Sequence, residues 1–265
     1  ALFYNPMGVS ISSDGSFALI TDKYNNLIRQ ITLPTPSPTA TPSSSPTMTP
    51  SSIPSVLPTL TPTFAPSYAP GVLQVTLFAG STASGTSDGV GSNAQFNNPY
   101  SLCISPDNSF ALISDTSNFL IRKLTFSTQQ VITIAGQPLS SGSANGIGTN
   151  AKFYNPQDLI LSSDGSYALI TDGSNNQIRK IVMSTLQVSV FAGGYGSANG
   201  VGTNALFIQP YGISSFNGTY CLISDSNNNQ IRKLIISTTT VTLIAGQTTS
   251  GTTNGIGSNA QFNKP

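Results

Sequence analysis

The residues of this chain best suited to chemistry recur at fixed distances. An aspartate stands seven positions before an arginine four times: Asp22 with Arg29, Asp115 with Arg122, Asp172 with Arg179 and Asp225 with Arg232. Each frame also holds an asparagine three residues after the aspartate, Asn25, Asn118, Asn175 and Asn228. A carboxylate and a guanidinium at this spacing suit a charge-assisted hydrogen bond across a tight turn, the aspartate capping the turn's amides and the arginine returning on the next strand. A pair copied four times without change reads as structural rather than catalytic.

A second recurring signal imitates a nucleotide site. Gly89 to Ala94, Gly146 to Ala151, Gly200 to Ala205 and Gly255 to Ala260 each satisfy G-x-G-x-x-A. Dinucleotide binding would need a preceding strand, a following helix and an acidic residue about 20 positions on, within a βαβ unit. The surrounding sequence offers none of these, so the motif is expected to be a turn, with Asp88, Asn145, Asn199 or Asn254 before it at positive φ. The chain has no histidine, and all nine acidic residues are aspartates. General acid–base chemistry and zinc binding both lean on histidine, and a serine without a base is inert. The expectation is a protein that is not an enzyme, with no catalytic, cofactor-binding or metal-binding residues.

Charge narrows the partners. Only 7% of residues are charged and the net charge is +1, far from the typical charged share of about 25%. No basic run marks a nucleic-acid or anionic-membrane surface, and no apolar run reaches the length of a membrane span. Apart from the repeated positions, the charged residues are Lys23, Asp88, Lys152, Asp158 and Lys264. Asp158 replaces Gly8, Ser101 and Gly212 of the other copies and is expected to be solvated.

These signals are carried by a cassette. Phe3, Phe96, Phe153, Phe207 and Phe262 each stand three residues before a proline, Pro6, Pro99, Pro156, Pro210 and Pro265. Within the third copy, alternating apolar stretches predict four strands, about residues 158–161, 167–171, 177–183 and 187–192. Asp164-Gly165 makes the first hairpin turn, matched by Asp14-Gly15, Asp107-Asn108 and Asn217-Gly218. Four antiparallel strands repeated at this period are the grammar of an all-β β-propeller.

The run F-x-x-P, DG, ALITDxxNNxIRK, V-x-x-x-AG resembles the NHL repeat, and the resemblance implies a propeller of four-stranded antiparallel blades. It divides the chain into residues 1–33 (three strands), 34–71 (an insert), 72–95 (the last strand and loop of the first repeat), 96–152, 153–206, 207–261 and the start of a fifth copy at 262–265. The cassettes exceed ordinary blades because of the loop after Ala-Gly. Ala1 aligns with Ala260, so both ends fall at one phase of the repeat, as in a window cut from a longer protein with further blades. Tyr4, Tyr100, Tyr154 and Tyr211 flank the repeated proline and are expected to pack against the inner strand; an exposed cluster of them on one face would instead mark a recognition surface. Cys103 and Cys221 fall in different layers of the repeat and are expected to be separate small buried residues.

The insert interrupts the first copy with nine tetrapeptides in register. Proline falls at Pro38, Pro42, Pro46, Pro50, Pro54, Pro58, Pro62, Pro66 and Pro70, and each tetrapeptide opens with a hydroxyl: Thr35, Thr39, Ser43, Thr47, Ser51, Ser55, Thr59, Thr63, Ser67. Such spacing favours an extended polyproline II rod, bearing O-glycans on the hydroxyls and offering its prolines for hydroxylation, as in mucin-like and hydroxyproline-rich stalks. It can leave a blade as a rim loop or bridge two propellers. Asn217-Gly218-Thr219 adds one N-glycosylation acceptor, Asn217.

The reading that follows is an extracellular, secreted or cell-surface glycoprotein whose propellers stack in a fibre, appendage or coat, partnered by other copies of itself and by covalent glycans. The rival reading is a recognition propeller that binds a protein or glycan.

Overall fold

In the computed structural model, which describes residues 2–34 and 73–265, each cassette folds as one antiparallel sheet. Blade 1 comprises β1 (Pro6–Ile11), β2 (Phe17–Asp22), β3 (Leu27–Thr32) and β4 (Val75–Gly80). A two-residue strand, β5 (Gly89–Val90), precedes blade 2: β6 (Pro99–Ile104), β7 (Phe110–Asp115), β8 (Leu120–Thr125) and β9 (Gln130–Ala135). Then come β10 (Gly146–Ile147) and blade 3, with β11 (Pro156–Leu161), β12 (Tyr167–Asp172), β13 (Gln177–Val182) and β14 (Gln187–Gly193). Last are β15 (Gly200–Val201) and blade 4, with β16 (Pro210–Phe216), β17 (Tyr220–Asp225), β18 (Gln230–Ile235) and β19 (Thr240–Gly246). The molecule is a four-blade β-propeller, with no α-helix among the described residues.

One element differs from the sequence expectation of four-stranded blades. Blades 2, 3 and 4 are five-stranded, because β5, β10 and β15 pair with the outer strands β9, β14 and β19. The Gly-rich loop of one cassette thus supplies the outermost strand of the next blade and covers an edge whose N–H and C=O groups would otherwise be open. Within the loop the residue at positive φ is the second glycine of the motif, as at Gly91 (φ 53) and Gly148 (φ 56), and not Asp88 or Asn145 before it.

Glycine after the fourth strand has a steric cause. Gly193 sits at φ +112, and a Cβ there would come within 2.7 Å of the Asn176 carbonyl. The repeated Ala-Gly therefore marks where two strands approach too closely for a side chain.

The core lies between blades. The forward face of blade 1, with Leu19, Ile28 and Ala79, packs on Leu102, Ala111, Ile113, Leu124 and Val131 of blade 2 around Phe96. The same surfaces meet between blades 2 and 3 around Phe153 and between blades 3 and 4 around Phe207. Each fully buried Leu, Ile or Phe contributes about 1.5 to 3 kcal/mol from water exclusion. Among the described residues no equivalent core joins blade 4 to blade 1. Val9 is 64% exposed where its equivalent Leu102 is 4% exposed, and Leu222 is 38% exposed where Leu19, Leu112 and Leu169 are fully buried.

Thr32 donates its N–H to the Gln74 carbonyl, and β3 pairs with β4 from Ile31 and Val75 inward. Both flanks of the insert therefore lie side by side at the edge of blade 1. The tetrapeptides themselves, with all their candidate O-glycosylation and hydroxyproline positions, lie outside the described residues.

Candidate ligand site at the channel mouth

The Asp–Arg pairs do form, and they hold up the loops around one end of the propeller. In blade 3, Arg179 donates to Asp172 at 3.0 Å with both side chains fully buried. The same guanidinium donates to the carbonyls of Lys152 and Ala144 and to Asn145 Oδ1, and it lies 5.3 Å from the centre of the Phe153 ring. Blades 2 and 4 repeat this with Arg122 on Asp115 and Arg232 on Asp225, and blade 1 with Arg29 on Asp22. The residues before the Gly-rich motif are thus acceptors for the arginine, namely Asp88, Asn145 and Asn199.

The aspartates do not cap the 3-10 turns that follow them, contrary to the sequence reading. Instead Oδ1 accepts the N–H of a residue 17 or 18 positions upstream, Tyr4, Asn97, Tyr154 or Ile208, while Oδ2 takes the asparagine amide and the arginine. The carboxylate therefore ties the turn to the entry of the inner strand.

Burial pulls Asp115 and Asp172 up to about 6, against the opposing pull of arginine, asparagine and amide. Exposed Asp14, Asp107 and Asp164 go the other way, to about 2, because neighbouring serine hydroxyls and a serine N–H hydrogen-bond the carboxylate. The signs are opposite. A depressed carboxyl contributes stability that is present above its unfolded value of about 3.9 and is lost as pH falls towards the folded value; a raised one contributes stability present below about 3.9 and lost as pH rises through the folded value. Thermal unfolding followed from pH 2 to 8 is expected to show its highest midpoint close to pH 4. A midpoint that climbs steadily to pH 8 contradicts the assignment.

The inner strands β1, β6, β11 and β16 follow one another around the axis. Their register is set by a hydroxyl at the end of the second strand, which donates to the neighbouring blade: Thr21 to the Tyr100 carbonyl, Ser114 to that of Gln157, Thr171 to that of Tyr211. This brings four non-identical positions together. Tyr100 and Tyr211, two blades apart, meet edge to face with centroids 5.4 Å apart. Burial, then the Tyr211 hydroxyl, raise the Tyr100 phenol above its ordinary range.

The tyrosine pair divides two cavities. The outer one, about 310 Å³, is the channel mouth, lined from blade 1 by Lys23 and Tyr24, from blade 2 by Asn98, Tyr100, Thr116 and Ser117, and from blades 3 and 4 by Asn155, Gln157, Gln209 and Tyr211. The inner one, about 300 Å³, is lined by Gly8, Ser101, Asp158 and Gly212 with Met7, Val9 and both tyrosines.

Asp158 is not the freely solvated group expected from sequence. It is half-buried, accepting the Ser101 hydroxyl at 2.7 Å and the Ile213 N–H at 2.8 Å, so it staples blades 2, 3 and 4. Burial raises its pKa, with those hydrogen bonds opposing.

Nor do the tyrosines beside the repeated proline simply pack on the inner strand. Tyr4 and Tyr154 are exposed; Tyr4 lies 5.1 Å from Tyr24, and Tyr154 lies 5.9 Å from Phe119. Tyr100 and Tyr211 instead pair with each other and line both cavities. Gln157, Gln209, Asn98, Asn155 and Tyr24 escaped sequence reasoning. The signal that could have found them is variation among copies: Met7, Tyr100, Gln157 and Tyr211 are equivalent, as are Lys23, Thr116, Gly173 and Ser226. Of the other sequence candidates, Asn217 lies exposed in its hairpin turn, at φ 47. Cys103 and Cys221 are free thiols, half-buried and buried.

Fold and mouth together define a β-propeller with a polar, tyrosine-rich axial cavity. No protein-family model matches the chain. It is 28% identical to NHL repeat-containing protein 2 of Bos taurus over 41% of this chain and 15% of that protein. It is 23% identical to Protein SUPPRESSOR OF QUENCHING 1, chloroplastic, of Arabidopsis thaliana over 70% of this chain and 24% of that protein. The chain thus spans about a quarter or less of the length of these relatives. Among solved structures it is similar to an auxiliary nutrient binding protein from Bacteroides thetaiotaomicron, at TM-score 0.62 and 14% identity, over 98% of this chain and 52% of that one. It is also similar to streptogramin B lyase, at TM-score 0.51 and 13% identity, over 91% of this chain and 54% of that one. The likenesses support an NHL-type propeller, and the structural ones speak to fold alone.

Proposed function

We propose that this chain is a non-enzymatic recognition propeller whose ligand enters the channel mouth. One observation carries this reading: aromatic and amide side chains from all four blades converge on one cavity of about 310 Å³. Binding sites are concave and combine aromatic surface with a few placed polar groups. The channel end is where a propeller brings unlike residues from like cassettes together. Catalysis finds no support in a chain without histidine or glutamate. Related propellers named as auxiliary nutrient binding proteins are consistent with ligand capture as a use of this scaffold.

The test is an array of immobilised oligosaccharides and peptides probed with the wild-type chain and with Tyr211→Ala. Retention on some member that falls about tenfold or more in the variant supports the reading, since a truncated aromatic anchor commonly costs more than 1 kcal/mol. Retention insensitive to Tyr211, or none at all, contradicts it.

A second reading, in which propellers stack as an assembly module of an extracellular fibre or coat, draws on a different observation: the apolar end faces of blades 1 and 4 are open. In that reading the tetrapeptide rod and Asn217 carry glycans. Mass spectrometry of the fragment over residues 34–71 from native material tests it, and an unmodified mass would remove its main support.

A further inference from the structure

We infer that the mouth selects an anionic saccharide, with Lys23 reading its charge; this rests on the recognition reading above and deepens it. The Lys23 ammonium lies 4.9 Å from the centre of the Tyr100 ring on the next blade and 5.1 Å from that of Tyr24. It is held by aromatic faces rather than by an acid. All salt bridges among the described residues are made by arginine. Asp22, next in sequence, is fully buried and already accepts Arg29, Asn25 and the Tyr4 N–H. Asp158 lines the inner cavity and not the mouth. The lining of the mouth therefore contains one cation and no carboxylate.

The rest of the lining fits a sugar better than a peptide. It contains no aliphatic hydrophobic side chain: its other members are tyrosines, Asn, Gln, Ser and Thr. A peptide gains affinity from apolar pockets or an exposed strand edge, and the mouth has neither. Tyrosine faces suit the C–H face of a pyranose, and amides suit its hydroxyls, each able to donate and accept. Gln157 adds an independent sign. Its side chain is 4% exposed, and Oε1 has no hydrogen-bond partner in the protein. A buried carbonyl without a donor costs free energy, and a small change of side-chain rotamer would offer it to a hydroxyl in the cavity.

Charge selectivity follows from desolvation. A neutral sugar filling the mouth would strip water from the ammonium and return no charge, whereas a uronate or sulfate restores a counter-charge where water is excluded. Long flexible lysine reads charge as a point, without the planar match of arginine. Carboxylated and sulfated sugars thus share the recognised chemistry.

The experiment is calorimetric titration of the chain with three galactose-based trimers at low salt: galacturonate, sulfated and neutral. The expected result is that at least one anionic trimer binds about tenfold or more tighter than the neutral one, with the advantage shrinking in 0.5 M salt as the charges are screened. Lys23→Gln should bring the ratio close to one, weakening the anionic trimer and relieving the neutral trimer of the cost of desolvating the ammonium, with the melting temperature unchanged, and Lys23→Arg should keep the preference. The stronger of the two anionic trimers identifies the source. Equal binding of neutral and anionic trimers, or a preference that survives Lys23→Gln, overturns the charge inference and leaves the recognition reading standing. If no trimer binds but an array peptide is retained in a Tyr211-dependent way, the saccharide inference fails alone. If nothing is retained, both fail.

Discussion

Arg179→Met is expected to destabilise the chain by about 3 to 5 kcal/mol, the usual cost of stripping one partner from a buried ion pair. The variant side chain can fill much of the same space beside Phe153, so the loss comes from the charge left behind. Asp172 is fully buried and would keep only Asn175 and the Tyr154 N–H, while the carbonyls of Lys152 and Ala144 and the Asn145 amide oxygen would lose a donor. Burial already pulls Asp172 up to about 6 with the arginine in place, and without it the carboxyl rises further. A carboxyl whose folded value is raised favours the native state at low pH and disfavours it as pH rises through that value. The loss measured by urea unfolding should therefore be greater at pH 8 than at pH 5. An equal loss at both would show that removing the arginine leaves the titration of Asp172 unchanged. Replacing both partners with apolar residues should recover part of the stability, as expected for buried pairs exchanged for packing.

Phe153→Ala is expected to cost about 3 to 5 kcal/mol and Phe3→Ala clearly less, although both residues open the same cassette. Phe153 is fully buried between blades 2 and 3, in a cluster with Leu112, Ile121, Ala135, Leu159 and Ile170, and the Arg179 guanidinium covers its ring. Truncation leaves a cavity that the neighbouring sheets cannot close without breaking their pairing. Phe3 has the same arginine contact, with Arg29 at 5.4 Å, but no preceding blade packs on it, and it stays half-buried. Equilibrium unfolding of the two variants decides the matter. Equal costs would mean that the phenylalanine acts within its own blade and that packing between blades contributes little at that position.

The contrast between these two residues shows how far the sequence could be read. The cassettes, their strand positions, the hairpin turns and the Asp–Arg pairing are local consequences of alternation, turn chemistry and short-range spacing, so copies of the pattern declare themselves in order, whereas the number of blades did not. The fifth strand was hidden because Gly89-Val90 is too short to alternate and pairs with β9, some forty residues on. The role of Asp88, Asn145 and Asn199 was hidden for a similar reason: their partner arginines belong to the next blade. Asp158 stood out as a departure from the repeat, but its partners Ser101 and Ile213 lie on two other inner strands.

The mouth was the least legible part. Lys23, Tyr100, Gln157 and Tyr211 have no common spacing and come from four different copies. Periodicity makes such positions look like noise, since they depart from the consensus. A ring of blades turns them into neighbours, because each cassette delivers its inner-strand entry to the same axis.

What the sequence by itself determined is the cassette: four strands, an Asp-Gly hairpin and an Asp–Arg pair across the second turn, each set by interactions within about fifty residues. What only the tertiary structure decided is which copy of each residue is buried and which side chains share a cavity. Val9 and Leu102 occupy one position in the repeat, yet one lies in water and the other in the core. The reason is physical: a blade is apolar on both faces, and burial of either face depends on the presence of a neighbouring sheet, which no pattern inside the cassette records.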